Sequence, residues 1–303
     1  MAIEIKFSIL ITTKNRLEEL KLTLQKIAYL LERSDVECLI YDDASEDGTF
    51  AYIKTNYPNI IRYQNKKSKG LIHNRNFLLN TCKGDYAISL DDDAHFLTDD
   101  VLEEIENYFI QNPKSGVIAF RIFWGIKAPN ILDCTEKAHI VNSFVGCGHV
   151  WNMQAWQEIP NYPEWFIFYG EEQFASYQLF KKGWEVHYNP YILIHHRVDI
   201  NRRKQDNDYQ IRTRRSLRSG WYLYFMFFPW KYIPRKLAYT FYVQVKNKTL
   251  KGDFKATFAI LQAICDTGFN LPKLIKHSNR LSCIELNAFS ILPDAKIYWK
   301  PEK

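Results

Sequence analysis

Short apolar runs alternate with amphipathic stretches along the first two hundred residues of the chain. Short apolar runs suit buried strands, and apolar residues at every third or fourth position suit surface helices. The pattern predicts strands at residues 7–11, 38–41, 60–63, 86–90, 116–123 and 191–194. It predicts helices at 16–31, 74–82, 99–110 and 171–182. Strands that alternate with helices are typical of an α/β fold with a mainly parallel, doubly wound sheet.

Polar residues follow three of these strands directly. They are Thr12, Thr13, Asp42, Asp43, Asp91, Asp92 and Asp93. Ligands of doubly wound sheets bind outside the carboxyl ends of the strands, so we expect these side chains to meet in one crevice. Consecutive aspartates repel one another unless a cation or strong hydrogen-bond donors lie among them. Clustered carboxylate oxygens of this kind suit Mg²⁺ or Mn²⁺.

The charge of the chain changes sign after His196. Residues 1–196 carry 19 Lys or Arg against 26 Asp or Glu, whereas residues 197–303 carry 21 against 8. The second region also places aromatic and apolar residues at helical spacing, at Leu217, Trp221, Tyr224 and Phe228. Further helices are expected at 235–247 and 253–266, with Gly252 as a stop and Asp253 as an N-cap.

This basic, aromatic region has two open interpretations. It is either a helical subdomain packed on the first region, or a helical pair lying in a membrane interface with its cations toward anionic lipid. Nucleic acid is not expected as a partner, because no recognition motif accompanies the basic residues.

Cysteine usage and hydropathy predict the compartment. The six cysteines are scattered without a C-x-x-C pair, which favours a reducing cytosol. No stretch reaches the roughly 18 to 20 apolar residues of a membrane span, and the amino terminus lacks a signal-peptide pattern. We therefore expect a cytoplasmic protein, attached peripherally to the inner face of the cell membrane if the helical pair binds lipid.

Five motifs occur in order over about residues 5–200. They are Thr12-Thr13-x-Asn15-Arg16, Asp42-Asp43-x-Ser45-x-Asp47-Gly48-Thr49, Gly70-x-x-x-Asn74-Arg75-Asn76, Asp91-x-Asp93 and Gly170-Glu171-Glu172. In this order and spacing the chain resembles the family-2 glycosyltransferases of GT-A fold. The resemblance implies a Rossmann-like sheet flanked by helices. It also implies metal-dependent transfer of a sugar from a nucleotide donor, with inversion at the anomeric carbon.

The resemblance implies roles for particular residues. Those implied to bind the nucleotide are Thr12, Thr13, Asn15, Arg16, Asp42, Asp43, Arg75, Asp91 and Asp92. Asp91 and Asp93 form the D-x-D motif, in which Asp93 is the direct ligand of Mn²⁺ or Mg²⁺. One histidine of the pair His195 and His196 is a further candidate ligand, and a core position is the alternative for these residues.

An inverting displacement needs a base to take the proton of the acceptor hydroxyl. Glu172 occupies the position of the family's G-E-D aspartate, and Glu171 is the alternative. Both begin a predicted helix, whose dipole favours ionised carboxylates. The chain departs from the motif because Glu172 replaces Asp and Phe174 replaces a further acid. These departures leave an inactive relative as a possible interpretation.

The acceptor is expected to bind against residues 142–168, where aromatic faces suit sugar rings; Gly146, Gly148 and Trp165 are the candidates. We predict a catalytic domain over 1–205, with a nucleotide-sugar half at about 1–95 and an acceptor half at about 96–205. A C-terminal helical, basic-aromatic extension follows at 206–303.

The predicted reaction moves sugar from a UDP- or dTDP-sugar to a hydroxyl of a glycan or lipid-linked saccharide. A catalytically inactive sugar-nucleotide or glycan-binding module is the alternative. A nucleotidylyltransferase is disfavoured because no Gly-rich, basic triphosphate loop follows the first strand.

Overall fold

The computed structural model describes residues 4–130, 132–198 and 208–296. Within these residues, nine strands form one sheet. The strands are β1 (Phe7–Thr13), β2 (Val36–Asp42), β3 (Ile61–Gln64), β4 (Tyr86–Asp91), β5 (Ala94–Phe96), β6 (Ser115–Trp124), β7 (His139–Val141), β8 (Gly148–Asn152) and β9 (Glu185–His196). The helices are α1 (Leu17–Lys26), α2 (Ala28–Leu31), α3 (Thr49–Asn56), α4 (Leu71–Thr81), α5 (Val101–Gln111), α6 (Met153–Gln157), α7 (Glu171–Lys182), α8 (Tyr209–Phe227), α9 (Ile233–Asn247), α10 (Phe254–Lys276) and α11 (Cys283–Ile291).

The strand order of the sheet is β3-β2-β1-β4-β8-β6-β9-β5, with β7 paired to β9. Strands β1 to β4 pair in parallel, β8 runs antiparallel between β4 and β6, and β6 pairs in parallel with β9. In this register Thr13 lies opposite Asp42, and Thr12 lies opposite Asp91. The predicted α/β class is therefore confirmed, and the polar ends of β1, β2 and β4 lie side by side.

Helices cover both faces of the sheet. Because side chains alternate along a strand, Ile9 and Ile11 of β1 join one core cluster while Leu10 joins the other. The first cluster includes residues of α1, α2, α3 and α5. The second includes residues of α4, α6 and α7. Such strands are buried on both faces, which explains why they appear in the sequence as continuous apolar runs.

Several boundaries differ from the sequence predictions. The helix expected at 16–31 is interrupted at Ile27, whose ψ of 9° departs from helical values and separates α1 from α2. Helix α4 begins at Leu71, three residues earlier than expected, after Gly70 with its φ of 94°. The strands β5, β7 and β8 and the helices α3, α6 and α11 were not predicted. Strands as short as the three residues of β5 and β7 contain no repeating pattern to detect.

The C-terminal extension shares the second core cluster. Tyr222, Phe227 and Phe228 are buried in it together with residues of β8 and α7. The aromatic run that begins at Trp221, itself 4 % exposed, therefore packs inward. For this run the membrane-interface interpretation is wrong, because the residues are covered by protein.

The start of α10 agrees with the sequence prediction. Asp253 caps the helix through a 2.8 Å hydrogen bond from the amide of Ala256. Gly252 ends the single 3-10 turn Thr249–Lys251, whereas α9 already ends at Asn247. Helix α10 extends ten residues beyond the predicted end at 266. The predicted domain boundary at 205 lies outside the described residues, and the division remains a prediction. In the described part of the chain, no helix has the length and apolar character to span a membrane.

Candidate active site

The loops that follow β1 and β2 are tied to each other. The amide of Asn15 donates to Ser45 Oγ at 2.8 Å, and Asn15 Oδ1 accepts from the amide of Glu46 at 2.8 Å. Asp47 Oδ2 accepts from the amide of Leu17 at the start of α1, at 2.9 Å. Asn15 has a φ of 52°, a conformation that asparagine tolerates better than most residues. The first two sequence motifs therefore form one interlocked pair of loops.

Asp42 and Asp43 have different surroundings. Asp42, at the end of β2, is fully buried and accepts a 3.0 Å hydrogen bond from Gln64 Nε2. Asp43 accepts from Ser68 Oγ at 2.6 Å and from the amide of Gly70 at 3.0 Å. Burial alone would raise the pKa of Asp43, but these and further hydrogen bonds outweigh it and lower the pKa to about 2. Asp43 therefore anchors the loop before α4.

The three consecutive aspartates diverge. Asp92 is buried, accepts from Thr13 Oγ1 at 2.8 Å and lies 3.0 Å from Arg16 Nε. Its burial raises its pKa to about 7, even though the charge of Arg16 opposes this shift. Asp91 and Asp93 instead approach His196, whose Nε2 atom is 2.9 Å from Asp93 Oδ1 and 4.0 Å from Asp91 Oδ2.

Asp91, Asp93 and His196 form a candidate metal centre. Each offers a ligand atom, and these atoms lie within 4.8 Å of one another. Two carboxylates and an imidazole fit Mn²⁺ or Mg²⁺, since both ions favour oxygen donors and Mn²⁺ also accepts imidazole nitrogen. The Asp91 side chain is 30 % exposed, so the group is open on one side. Arg16 Nη2 also contacts Asp93, which places a protein cation beside this centre.

Of the two histidines predicted as ligands, only His196 joins this group within the described residues. His195 Nε2 donates to the carbonyl of Gly125 at 2.6 Å. Successive side chains of a strand point to opposite faces of the sheet, so β9 directs one ring toward the aspartates and the other away. The metal role predicted for His195 therefore has no geometric support.

Arg75 of α4 is the hub of a buried charge cluster. Its Nη2 atom lies 3.0 Å from Asp91 Oδ1 and donates to the carbonyl of Gly146 at 2.9 Å. Its Nη1 atom lies 3.1 Å from Glu171 Oε1 and 3.8 Å from Glu172 Oε1. The guanidinium thus connects the metal-side aspartate with both candidate bases.

The two glutamates at the start of α7 differ in access. Glu171 is 2 % exposed, and within the described part of the chain its Oε2 atom has no hydrogen-bond partner. The Glu172 side chain is 22 % exposed. Burial and the neighbouring charge of Glu171 raise the pKa of Glu172 to about 8, although Arg75 opposes the shift. A partly exposed carboxylate with a raised pKa is suited to proton abstraction.

The three predicted acceptor-side residues occupy different places. A side chain at Gly146 would bring a Cβ to 2.7 Å from Arg75 Nη1 and closer still to Glu172. Gly148 lies inside β8 against Ile194, in the core of the sheet. Trp165 packs on the extension, with its ring 5.3 Å from that of Tyr222. Gly146 is therefore the one of the three that lies beside the candidate bases.

A strained segment before α7 was not foreseen from the sequence. Ile167 and Tyr169 have φ values of 71°, and Gly170 has a φ of 90°. Positive φ is costly for a β-branched residue such as isoleucine, and strain of this kind clusters at functional sites. Only Gly170 could have indicated the turn, because nothing in the sequence around Ile167 predicts a left-handed conformation.

A polar network behind Asp92 was also missed. Thr23 Oγ1 donates to the carbonyl of Asp92 at 2.7 Å and accepts from Arg197 Nη2 at 2.7 Å. Arg197 Nη1 donates to His95 Nδ1 at 2.7 Å. The network holds α1 and the end of β9 against the aspartate loop. Thr23 lies within a helical pattern, so its spacing alone gave no signal of this role.

Comparisons with known proteins identify a family for the chain. The family model described as Glycosyl transferase family 2 matches residues 8–176. No curated protein sequence matches the chain.

Three solved structures illustrate the likeness in fold. TarS from S. aureus is 16 % identical with a TM-score of 0.54, and the match covers 69 % of this chain and 38 % of TarS. GalNAc-T7, solved with UDP, GalNAc and Mn²⁺, is 15 % identical with a TM-score of 0.57, over 74 % of this chain and 48 % of that protein. The mannosyltransferase PcManGT from Pyrobaculum calidifontis, in complex with GDP-Man and Mn²⁺, is 14 % identical with a TM-score of 0.55, over 95 % and 79 %. The match thus spans less than half of TarS and GalNAc-T7. At these identities the likeness establishes the GT-A fold alone.

Proposed function

The chain belongs to glycosyltransferase family 2, and on that premise we propose an inverting, divalent-metal-dependent glycosyltransferase. Its donor is a UDP- or dTDP-sugar, and its acceptor is a hydroxyl of a glycan or lipid-linked saccharide. The observation that carries the proposal is the grouping of Asp91, Asp93 and His196 within 4.8 Å. Arg75 connects this group to Glu171 and Glu172.

We assign the nucleotide to the carboxyl ends of β1, β2 and β4. Asp42 is the acceptor we assign to the ring N–H of uracil or thymine, the polar group that these two bases share at this position. Because its carboxylate is fully buried and accepts from Gln64 Nε2, this contact requires Gln64 to move aside. The loops around Thr12, Thr13 and Asn15 border the ribose, and Arg16 and Arg75 approach the diphosphate. Arginine suits this role because its fork of donors matches phosphate oxygens.

We assign the metal to Asp91, Asp93 and His196. These three side chains would hold Mn²⁺ or Mg²⁺, and the ion would supply positive charge beside the departing nucleoside diphosphate. The open side next to Asp91 leaves room for phosphate oxygens, which complete the shell of such ions in many enzymes.

We assign the general base to Glu172 because it is more exposed than Glu171 and lies at the edge of the charge cluster. Glu172 takes the proton as the acceptor oxygen forms its bond to the anomeric carbon. The bond from that carbon to the diphosphate oxygen breaks on the opposite face, and its electron pair leaves with the diphosphate. Glu171 stays paired with Arg75 and positions it.

We assign the acceptor to a groove of about 660 Å³ between α8 and α9. Its lining includes Tyr169, Trp124 and Trp221. The Trp124 ring lies 5.6 Å from that of His196, so the groove reaches the neighbourhood of the candidate metal centre. Aromatic walls suit the apolar faces of sugar rings and an attached lipid.

The donor and metal are tested together by thermal shift and slow donor hydrolysis. The panel is UDP-, dTDP-, GDP- and CMP-sugars, each with Mn²⁺ and with EDTA. A stabilisation by a UDP- or dTDP-sugar that EDTA abolishes supports the proposal. Asp93→Asn is expected to remove it, whereas the exposed Asp99→Asn is the matched control and is expected to retain it.

Glu172→Gln tests the base. Donor binding should persist, while hydrolysis of the donor, with water in the place of the acceptor, should fall by about 10²–10⁴-fold. Glu32→Gln, exposed at the end of α2, is the matched control. Full activity of Glu172→Gln would refute the assignment. A folded protein that ignores every donor would instead favour an inactive glycan-binding module.

A further inference from the structure

Helix α10 has two apolar faces, and the residues that the structure describes cover only one of them. Its inner face, with Ala259, Ile260 and Ala263, is buried, and the helix packs mainly on α8. Its outer stripe is formed by Phe254, Phe258, Leu261, Cys265 and Phe269. These positions are separated by three or four residues, so they share one side of the helix.

The outer stripe is highly exposed. Phe254 and Phe269 are 83 % and 86 % exposed, and Phe258 and Leu261 are each 54 % exposed. A helix on the surface of a globular protein normally presents polar residues on its outer side. Folding of this chain therefore gives no reason for three phenylalanines along the outer stripe.

Helix α9 and the turn that follows it add to this apolar surface. In α9 only Ile233 is buried, while Tyr239 and Tyr242 are 65 % and 58 % exposed. Leu250, in the turn between α9 and α10, is 75 % exposed. Exposed apolar residues in such number on neighbouring elements indicate an interaction site.

The charges of this segment select the partner. Residues 233–276 hold eight Lys or Arg and two Asp or Glu. Both acids are engaged, because Asp253 accepts from Tyr209 Oη at 2.7 Å and Asp266 accepts from Arg214 Nε at 2.7 Å. A second copy of the same surface would meet eight like charges. A partner surface that is both apolar and anionic would bury the aromatic rings and attract the cations at the same time.

We propose that the outer stripe of α10, with the exposed residues of α9, docks the protein on an anionic lipid membrane. The phenylalanine rings enter the boundary between headgroups and acyl chains, and the surrounding lysines contact the headgroups. This attachment is peripheral. It goes beyond the catalytic proposal, and because lipid binding is measured without donor or metal, either proposal can fail while the other stands.

The test is co-sedimentation of the full chain with vesicles of phosphatidylcholine, with and without about 30 % phosphatidylglycerol, at low salt. We expect binding to the anionic vesicles and weak binding to the neutral ones. The double variant Phe258→Gln/Phe269→Gln should bind at least about tenfold more weakly. Lys251→Gln should lose about fivefold, and this loss should shrink in high salt.

The matched control is Ile110→Gln on α5, which removes a side chain that is 66 % exposed but lies outside the extension. It should bind vesicles as the unaltered chain does. Failure of the unaltered chain to bind anionic vesicles would overturn the proposal, as would unchanged binding by the double phenylalanine variant. Sedimentation velocity identifies the competing occupant. If the unaltered chain is a dimer that does not bind vesicles, and the double variant is a monomer, the surface pairs with a second copy.

Discussion

Arg75→Met is the substitution whose consequences the structure predicts most fully. Arg75 is 6 % exposed and Glu171 is 2 % exposed, and their charged atoms are 3.1 Å apart. Methionine keeps much of the volume but removes the charge and all donors. Glu171 then remains as a buried carboxylate without its cation, close to Glu172 and Asp91.

The expected cost follows from this burial. Removing one partner of a buried ion pair lowers the free energy of unfolding by about 3–5 kcal/mol. The lost hydrogen bond to the carbonyl of Gly146 contributes about 1 kcal/mol within that range. Burial already raises the pKa of Glu171, with Arg75 opposing it. Without Arg75 the pKa of the folded state rises further above that of the unfolded chain.

The sign of the pH dependence is therefore determined. A carboxyl whose pKa is higher in the folded state binds its proton more tightly there, so the variant is relatively more stable at low pH. Stability is lost as the pH rises through the folded-state pKa of Glu171. We expect the full cost near pH 8.5 and only about 1–2 kcal/mol near pH 5, where protonation neutralises the buried group.

Urea unfolding at the two pH values measures this difference. Arg235→Met, which removes an exposed arginine of α9, is the control and should change stability little. A double-mutant cycle that combines Arg75→Met with Glu171→Gln should give a coupling energy of about 2 kcal/mol, because the amide of glutamine leaves no buried charge when the arginine is removed. A cost below about 1 kcal/mol near pH 8.5, or the same cost at both pH values, would refute the reasoning.

Three further predictions concern the reaction. Donor hydrolysis with Mg²⁺ should rise about tenfold per pH unit up to about pH 8 and then level off, because the base Glu172 must lose its proton and has a pKa of about 8; a flat pH profile would argue against it. His196→Gln should weaken Mn²⁺ binding, measured by calorimetry, by at least about tenfold, while His195→Gln, its neighbour on the opposite face, should leave the affinity unchanged. Gly146→Ala should raise the activation free energy of the reaction, measured from kcat, by more than it lowers the free energy of unfolding, because its Cβ would displace Arg75 and Glu172. An unchanged kcat would show that this cluster tolerates movement.

The arrangement at the carboxyl ends of β1, β2 and β4 could largely be predicted, because the local sequence pattern and the sheet topology both place these polar residues at one edge. Continuous apolar runs identify parallel strands buried on both faces. Once β1, β2 and β4 are neighbours, the polar residues after them must meet at one edge. The meeting of Thr13 with Asp42 and of Thr12 with Asp91 follows directly from this register.

The rest depends on contacts between residues far apart in sequence. Arg75 reaches Glu171 across a separation of 96 positions, and Arg197 reaches Thr23 across 174. Only the packed fold brings such partners together, so no periodicity reports them. The different roles of His195 and His196 could be predicted in part. Strand alternation requires the two rings to face opposite ways, but only the position of Asp93 decides which one is useful.

The C-terminal extension is best understood by the direction in which its aromatic residues point. Arg218 of α8 donates to the carbonyl of Phe166, and Ser219 Oγ lies 3.5 Å from the carbonyl of Phe168. These contacts hold the strained segment that leads into α7 and the candidate base Glu172. Inward-facing residues of α8 therefore support the candidate active site, whereas the phenylalanines of the outer stripe of α10 are exposed. Deleting the extension would disturb both properties at once, which is why point substitutions on the outer stripe are the informative test of membrane binding.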